Sequence, residues 1–171
     1  CTLVKNHPSP CGKPEDAVMA IMTTDTTPKF SYRKFELNDK RPGIWACCKG
    51  AGMIHPNMGT LLCFLATDAS VELSFLKAAL KRSVDMSFNM VTVDGDTSPS
   101  DTVLLLANGM AGNRAIAAGT APCRAFQKAL VRVCIELARS IARDGEGAKR
   151  LIEVTVEGAR SNKDARIGAR T

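Results

Sequence analysis

The chain has 171 residues, 45% of them hydrophobic and 23% charged, which is enough apolar sequence for one domain with a substantial core. This composition excludes a disordered chain, and the longest apolar runs, 61–66 and 103–107, fall far short of the roughly 20 residues that span a bilayer. The net charge is +6, but acidic residues alternate with basic ones, and only six Phe, one Trp and one Tyr could stack on bases. We therefore predict no nucleic-acid partner and no membrane.

The seven cysteines and two histidines show no metal-binding spacing. No Cys-x-x-Cys pair occurs, and an odd number of cysteines fits reduced, buried thiols better than a disulfide framework. We predict no metal site. The stretch before Pro14 has no apolar centre, so we expect no signal peptide. These features indicate the cytoplasm, with an organelle (mitochondrion or plastid) left open if a targeting segment has been removed.

In chain order, the sequence predicts alternating helices and strands in one α/β or α+β domain. The predicted elements are a short helix over 14–22, an exposed strand over 30–37, buried strands over 44–48 and 61–67 joined by a glycine-rich segment (49–60), a helix within 68–86, a strand over 88–93, an element ambiguous between strand and helix over 102–107, a surface loop over 108–120, the longest helix from 122 to near 145, and a strand over 151–156.

Two loops match ligand-binding motifs only in part. The loop at Asp94 begins like a calcium loop, but Pro99 stands where glycine is needed and Leu105 where glutamate is needed, so we interpret it as a polar turn. The glycine-rich segment lacks the Gly-Lys-Ser/Thr of a phosphate loop and is interpreted as a tight connection between strands.

The Gly59-Thr60 pair in the glycine-rich segment offers a nucleophile. If the Thr60 hydroxyl attacks the preceding peptide bond and water cleaves the resulting ester, Thr60 gains an α-amine with a pKa of about 7.7–8 beside its own hydroxyl. Such a pair is a nucleophile with a built-in base. A Gly-Thr pair is common, however, so the chemistry alone favours the connecting turn.

Four blocks, in a fixed order, carry a more specific signal. They are Ala20-Ile21-Met22-Thr23-Thr24-Asp25, the segment from Lys49 to Leu62, Ser87-Phe88-Asn89 with Val93-Asp94-Gly95-Asp96-Thr97-Ser98, and Asp144-Gly145-Glu146-Gly147-Ala148-Lys149. Together they resemble the ornithine acetyltransferase (glutamate N-acetyltransferase) family, and the resemblance covers residues 17–169. Four ordered blocks are far more specific than one, and they favour the Thr60 hypothesis over the connecting turn.

The resemblance implies a double-displacement acetyltransferase of arginine biosynthesis. Thr60 would be the catalytic nucleophile, released by autocleavage between Gly59 and Thr60, and Thr23, Lys49, Thr60 and Glu146 would bind substrate. The acetyl group of N-acetylornithine would pass to the Thr60 oxygen and then to the amine of glutamate. A lysine suits a substrate carboxylate and a glutamate suits an ammonium group. No cofactor is expected, and whether acetyl-CoA also serves as a donor is left open.

The resemblance also implies a fold and an assembly. The fold would be a partial α/β structure, the layered α-β-β-α sandwich of the ornithine acetyltransferase / DmpA-like type. Residues 1–171 would be a single partial acetyltransferase domain, with 1–59 ending an α chain and 60–171 beginning a β chain. Cleavage would give an α/β heterodimer or an α2β2 assembly.

Some features depart from the family pattern. Gly59 stands where the family usually has alanine, a change that a small residue should tolerate. Ala148 stands where the family usually places a threonine before its lysine. The oxyanion-hole Thr-Gly and the C-terminal Asn-Trp-Gly-Arg of the family match nothing in this sequence, and losing one oxyanion donor costs about 10²–10³ in rate. We expect the chain by itself to be a poor enzyme or none.

Two other functions remain open. An N-terminal-nucleophile amidohydrolase or aminopeptidase would pass the acyl group to water instead of glutamate. A catalytically inactive fragment or subunit would keep the Gly59–Thr60 bond intact and would offer exposed apolar surface to a partner chain.

Overall fold

A computed structural model describes residues 13–55, 61–98 and 100–170. The predictions for Gly59 and Thr60, and for Cys1 and Cys11, therefore lie outside the described residues. The elements in chain order are α1 (Pro14–Ile21), β1 (Lys29–Lys34), β2 (Gly43–Lys49), β3 (Leu62–Thr67), α2 (Leu73–Asp85), a 3-10 turn (Phe88–Met90), β4 (Thr102–Ala107), α3 (Ala121–Arg143) and α4 (Asn162–Arg170).

The four strands form one sheet in the order β1-β2-β3-β4. The first three are antiparallel neighbours, with Lys29 opposite Cys48 and Lys49 opposite Leu62. β4 is parallel to β3, with Leu62 opposite Thr102. A parallel pair needs a crossover connection, and α2 lies within it. The register brings the end of β2 and the starts of β3 and β4 to one end of the sheet.

Helix α3 forms the centre of the core on one face of the sheet. Its apolar residues recur every three or four positions, so one side of the helix is buried. The ring of Phe126 contacts Phe35 edge-on at 5.6 Å between centroids and Phe75 at 6.0 Å. The buried residues of α3 are Phe126, Ala129, Leu130, Val133, Cys134, Leu137, Ala138 and Ile141.

Strand β1 meets α3 through polar side chains. Ser31 Oγ donates a hydrogen bond to Glu136 Oε2 at 2.6 Å, and Arg33 Nε donates to Glu136 Oε1 at 3.0 Å. The aromatic residues of the strand, Phe30 and Tyr32, point the other way and are 51% and 55% exposed. The strand predicted over 30–37 is confirmed over 30–34 and is wrong over 35–37, and its polar side faces the helices.

The second face of the sheet is apolar, and it is exposed on its two edge strands, whereas Cys47 in its middle is only 2% exposed. Register places Phe30, Cys47, Phe64 and Leu104 in one row across it, and Tyr32, Trp45, Ala66 and Leu106 in the next. Leu104 and Leu106 are 43% and 59% exposed. The described residues thus supply one helical layer and one sheet, and the predicted partial α/β sandwich is confirmed.

Two of the predicted strands are wrong. Over 88–93 the chain forms a 3-10 turn and then an irregular segment, because Phe88 is buried in the core and Val93 bonds to a loop carbonyl, Ile54 O, instead of a sheet. Over 151–156 the apolar alternation is real, but Ile152 is 81% and Val154 61% exposed and the segment is irregular. A strand needs a neighbour to pair with, and no described residue pairs with this segment.

The structure also shows the conformation of three other segments. The ambiguous element at 102–107 is a strand because it pairs with β3. The predicted loop at 108–120 is confirmed, although Ile116 is buried within it and bridges to Val71. The polar C-terminal tail contains α4.

The prediction of buried cysteines is confirmed for four of the five cysteines in the part of the chain that the structure describes. Cys47, Cys48, Cys63 and Cys134 are buried free thiols, and Cys123 is half-buried and free. Burial raises the pKa of the first four, that of Cys134 to about 12. These thiols are neutral at physiological pH and are therefore poor nucleophiles. Over the described ranges, no helix is both long enough and apolar enough to cross a membrane.

Candidate active site

Two of the predicted substrate-binding residues meet at the end of β2. Lys49 is the last residue of the strand, and its ammonium group donates a hydrogen bond to Thr23 Oγ1 at 3.4 Å. Thr23 is exposed and Lys49 is half-buried, so both can reach a ligand. Lys49 pairs across the sheet with Leu62, which follows Thr60 by two positions in the chain.

A buried ion cluster holds this pair in place. Lys29 is 1% exposed, and its ammonium group donates to Asp25 Oδ1 at 2.6 Å and to Asp144 Oδ2. Asp25 also accepts the backbone N–H of Gly50 at 2.7 Å and that of Thr23 at 3.3 Å. One carboxylate thus fixes the backbone at Thr23 and immediately after Lys49.

The third predicted residue, Glu146, is joined to the same cluster through the backbone. Asp144, at the end of α3, accepts hydrogen bonds from the loop residues Thr26 and Thr27 as well as from Lys29. Two residues further on, the N–H of Glu146 donates to Ala51 O at 2.7 Å. Glu146 therefore lies two residues after Asp144 and is tied to the turn that leaves β2.

The side chain of Glu146 lies over Gly52. A Cβ added at Gly52 would come within 2.7 Å of Glu146 Oε2 and 3.6 Å of Asp94 Oδ2. Glycine at this position permits the close approach of the Glu146 carboxylate to the turn. Glu146 itself is exposed to solvent.

The structure brings the three described residues of the predicted substrate site to one end of the sheet, but not all into contact. Thr23 and Lys49 touch, whereas no hydrogen bond joins the Glu146 side chain to either among the described residues. Thr60, the predicted nucleophile, lies outside the described residues, and its role remains a prediction.

Sequence reasoning did not single out the residues that build this site. Lys29, Asp25 and Asp144 form its buried support, although Asp25 and Asp144 both belong to the blocks that carry the family resemblance. The signal in the sequence that could have revealed this support was Lys29, a lysine on the side of β1 that faces the helices. Over residues 13–55, 61–98 and 100–170, no group of three His, Cys, Asp or Glu side chains could hold a metal ion.

The ion cluster should make the fold sensitive to acid. Burial alone would raise the pKa of Asp144, but hydrogen bonds from Lys29, Thr26 and Thr27 outweigh it and hold that pKa at about 2. The same balance, with Lys29, Gly50 and Thr23 as donors, lowers the pKa of Asp25. A carboxyl with a lowered pKa in the folded state stabilises that state above its unfolded pKa, and the contribution is lost as pH falls through the folded value.

We therefore expect the urea midpoint to be steady above about pH 4 and to fall between about pH 4 and pH 2. Chemical denaturation followed at pH 6, 4, 3 and 2 measures this directly. The Asp144→Asn chain is the control, since it has no Asp144 carboxyl to titrate and should show a shallower fall. Parallel curves for the two proteins would contradict the assignment to Asp144.

Substitution of Gly52 should disturb ligand binding more than stability. In Gly52→Ala the new Cβ displaces the end of the flexible Glu146 side chain, so we expect the chain to remain folded within about 1 kcal/mol. In a catalytically active assembly we expect KM for the amino-acid substrate to rise several-fold with kcat little changed, because the reacting atoms are untouched. Gly168→Ala is the matched control, because its Cβ would meet only Val156 at 3.9 Å. An unchanged KM in Gly52→Ala would argue against Glu146 as a substrate contact.

Fold and site together define a mixed α/β domain with an exposed Thr–Lys pair and a glutamate at one end of its sheet. The sequence model of the ArgJ family matches residues 2–171, so the chain belongs to the ArgJ family. The family predicted from the four sequence blocks is thereby confirmed.

Similar proteins cover most of this chain. The "Arginine biosynthesis bifunctional protein ArgJ" of Symbiobacterium thermophilum is 56% identical over 155 residues, which are 91% of this chain and 39% of that protein. The mitochondrial ArgJ of Dictyostelium discoideum is 48% identical over 152 residues, 88% of this chain and 34% of that protein. The chain thus spans about two fifths or less of the length of these two relatives.

A solved structure shows the same fold. The crystal structure of the arginine biosynthesis bifunctional protein ArgJ from Bacillus halodurans is 43% identical in sequence and superposes with a TM-score of 0.59. The superposition covers 61% of this chain and 49% of that chain.

Proposed function

We propose that this chain is the central part of an arginine-biosynthesis acetyltransferase that moves an acetyl group from N-acetylornithine to glutamate through an acetyl-Thr60 intermediate. Autocleavage between Gly59 and Thr60 would first expose the α-amine that serves as the base. Water is not needed in the transfer itself, since the ester conserves the acyl group until the glutamate amine attacks it. No cofactor takes part, and acetyl-CoA is a second donor to be tested.

The Lys49–Thr23 contact is the observation that carries this proposal. It places a cation and a hydroxyl at the end of β2, and Lys49 is paired with Leu62, the first residue of the strand that begins two positions after Thr60. Glu146 adds a carboxylate tied to the same turn by its backbone. A lysine and a glutamate at separate positions match the carboxylate and the ammonium group of an amino-acid substrate. The names of the relatives in arginine biosynthesis support the same assignment.

The first experiment is an intact-mass spectrum of the purified chain. The proposal predicts two fragments, residues 1–59 and 60–171, the second beginning with a free threonine. A single unbroken mass would mean that this chain does not generate the nucleophile by itself.

The acyl acceptor separates the transferase from the amidohydrolase or aminopeptidase. Because the chain spans 39% of the Symbiobacterium relative, the assay uses a chimera in which the 155 matching residues of that relative are replaced by those of this chain. N-acetylornithine is then supplied with and without glutamate. We expect N-acetylglutamate to form and ornithine release to depend on glutamate. Release of acetate at the same rate without glutamate would identify a hydrolase instead.

One observation favours a second candidate, a subunit that is inactive by itself. The second face of the sheet exposes Phe30 and Tyr32 on one edge strand and Leu104 and Leu106 on the other, and exposed apolar surface marks regions that a partner covers. This candidate predicts an intact Gly59–Thr60 bond in the spectrum described above. It also predicts self-association of the chain in size-exclusion chromatography.

A further inference from the structure

Residues before β4 and at its start hydrogen-bond to the chain on both sides of the Gly59-Thr60 junction, at Met53 and Ile54 before it and at Leu61 after it. On the upstream side, Asp94 accepts the backbone N–H groups of Met53 and of Ile54, the latter at 3.1 Å. The N–H of Val93 donates to Ile54 O at 2.8 Å, and Thr92 Oγ1 donates to the same oxygen at 3.1 Å. Residues 92–94 therefore fix both the amide and the carbonyl of Ile54.

The downstream side is held in the same way. The N–H of Leu61, the residue that follows Thr60, donates to Asp101 Oδ1 at 2.6 Å. The N–H of Thr102 donates to Leu61 O at 2.8 Å. Residues 101–102 thus fix the amide and the carbonyl of Leu61, as residues 92–94 do for Ile54.

We propose that residues 92–94 and 101–102 form a junction clamp, in which Asp94 and Asp101 are positioning residues that align the two sides of the Gly59–Thr60 bond for self-cleavage. The inference rests on the proposed function for its chemistry, but its contacts belong to described residues only. The two aspartates lie outside the predicted substrate-binding set and accept hydrogen bonds from backbone amides.

The chemistry of the cleavage explains why alignment matters. The Thr60 oxygen forms a bond to the Gly59 carbonyl carbon while the bond from that carbon to the Thr60 nitrogen breaks. The proton lost by the hydroxyl ends on that nitrogen, and water then hydrolyses the ester to a Gly59 carboxylate and a free Thr60 hydroxyl. Attack needs the reacting atoms about 3–3.5 Å apart, and a displacement of 1 Å can cost about 10²-fold in rate.

The hydrogen bonding of Asp101 allows its role in positioning Leu61 to be tested separately from an effect of its negative charge. Among the described residues its second carboxyl oxygen, Oδ2, is buried and has no hydrogen-bond partner. The Leu61 N–H bonds to Oδ1, so a single acceptor oxygen of the side chain carries this contact. Asn keeps that acceptor and Ala removes it, so Asp101→Asn should act like the unsubstituted chain and Asp101→Ala should not.

The test compares self-cleavage of the purified chain and its variants by intact mass over time. We expect Asp101→Ala and Asp94→Ala to cleave at least about 10-fold more slowly than the unsubstituted chain, and Asp101→Asn to cleave within about threefold of it. Asp68→Ala is the matched control. Asp68 Oδ1 accepts the Gly43 N–H at 2.8 Å at the opposite end of the same strands, so its loss removes a similar bond far from the junction.

Amide hydrogen exchange supplies a readout that does not depend on cleavage. The clamp predicts faster exchange at Leu61 in Asp101→Ala and at Met53 and Ile54 in Asp94→Ala, with exchange in α3 unchanged. If the unsubstituted chain stays unbroken, the proposed function fails for this chain and exchange alone decides about the clamp. Unchanged exchange at these amides would overturn the clamp. Cleavage of both alanine variants at the rate of Asp68→Ala would also overturn it. So would cleavage of Asp101→Asn as slow as that of Asp101→Ala.

Discussion

Thr60→Ala is expected to leave the chain unbroken and to abolish acetyl transfer in the chimera with the Symbiobacterium relative. Alanine has no hydroxyl, so neither the ester that precedes cleavage nor the acetyl intermediate can form. Removing a nucleophile of this kind lowers the rate by an amount on the order of 10⁶, which leaves the assay at background. Intact mass reports the cleavage, and N-acetylglutamate formation reports the transfer.

Thr60→Ser is the matched variant, because it keeps the hydroxyl and loses only a methyl group. We expect it to cleave and to transfer acetyl groups at a reduced but measurable rate. Denaturation midpoints of the three proteins show whether any loss is due to unfolding. Full transfer activity in Thr60→Ala would overturn the assignment of Thr60, whatever the cleavage result.

Lys29→Ala is expected to destabilise the chain by about 3–5 kcal/mol, the usual cost of removing one partner from a buried ion pair. The substitution leaves the carboxylates of Asp25 and Asp144 in the interior without their shared cation. It also removes one of the links between the loop that carries Thr23 and the end of α3, where the hydrogen bonds from Thr26 and Thr27 to Asp144 remain. The free energy of unfolding in urea measures the loss.

Two further variants separate the charge from the packing. Lys34→Ala lies on the same strand at an exposed position and should change stability by less than about 0.5 kcal/mol. Lys29→Met keeps the aliphatic stem without the charge, and should still destabilise strongly. The double variant with Lys29→Met and Asp144→Asn should lose less stability than the sum of the two single variants. The Asp144 carboxylate that Lys29→Met leaves without its cation is no longer present in the double variant. A Lys29→Met chain as stable as the unsubstituted one would contradict a stabilising role for the cluster.

The family blocks predicted much of the candidate site. The resemblance placed Thr23, Lys49 and Glu146 together, and the structure joins the first two directly and the third through the turn at Ala51. The means by which they are joined could not be predicted, because Lys29 and Asp144 are 115 positions apart and meet only once α3 has packed on the sheet. The same holds for Asp94 and Asp101, whose partners lie about 40 positions away in the chain.

The sequence by itself determined the elements whose apolar pattern is long and one-sided. Helix α3 could be predicted because its apolar residues recur every three or four positions, and β2 because it is a short apolar run bounded by Gly43 and Gly50. Such patterns are local, since a buried face needs only the periodicity of its own segment.

Tertiary structure alone decided the cases in which a segment depends on a partner. The alternation over 151–156 forms no strand because no described residue pairs with it, whereas 102–107 becomes β4 because β3 lies beside it. In β1 the polar side is buried and Phe30 faces outward, because Asp25, Asp144 and Glu136 compensate Lys29, Ser31 and Arg33. Strand pairing and ion pairing join residues that are distant in the chain, so their outcome depends on where the other segments fold.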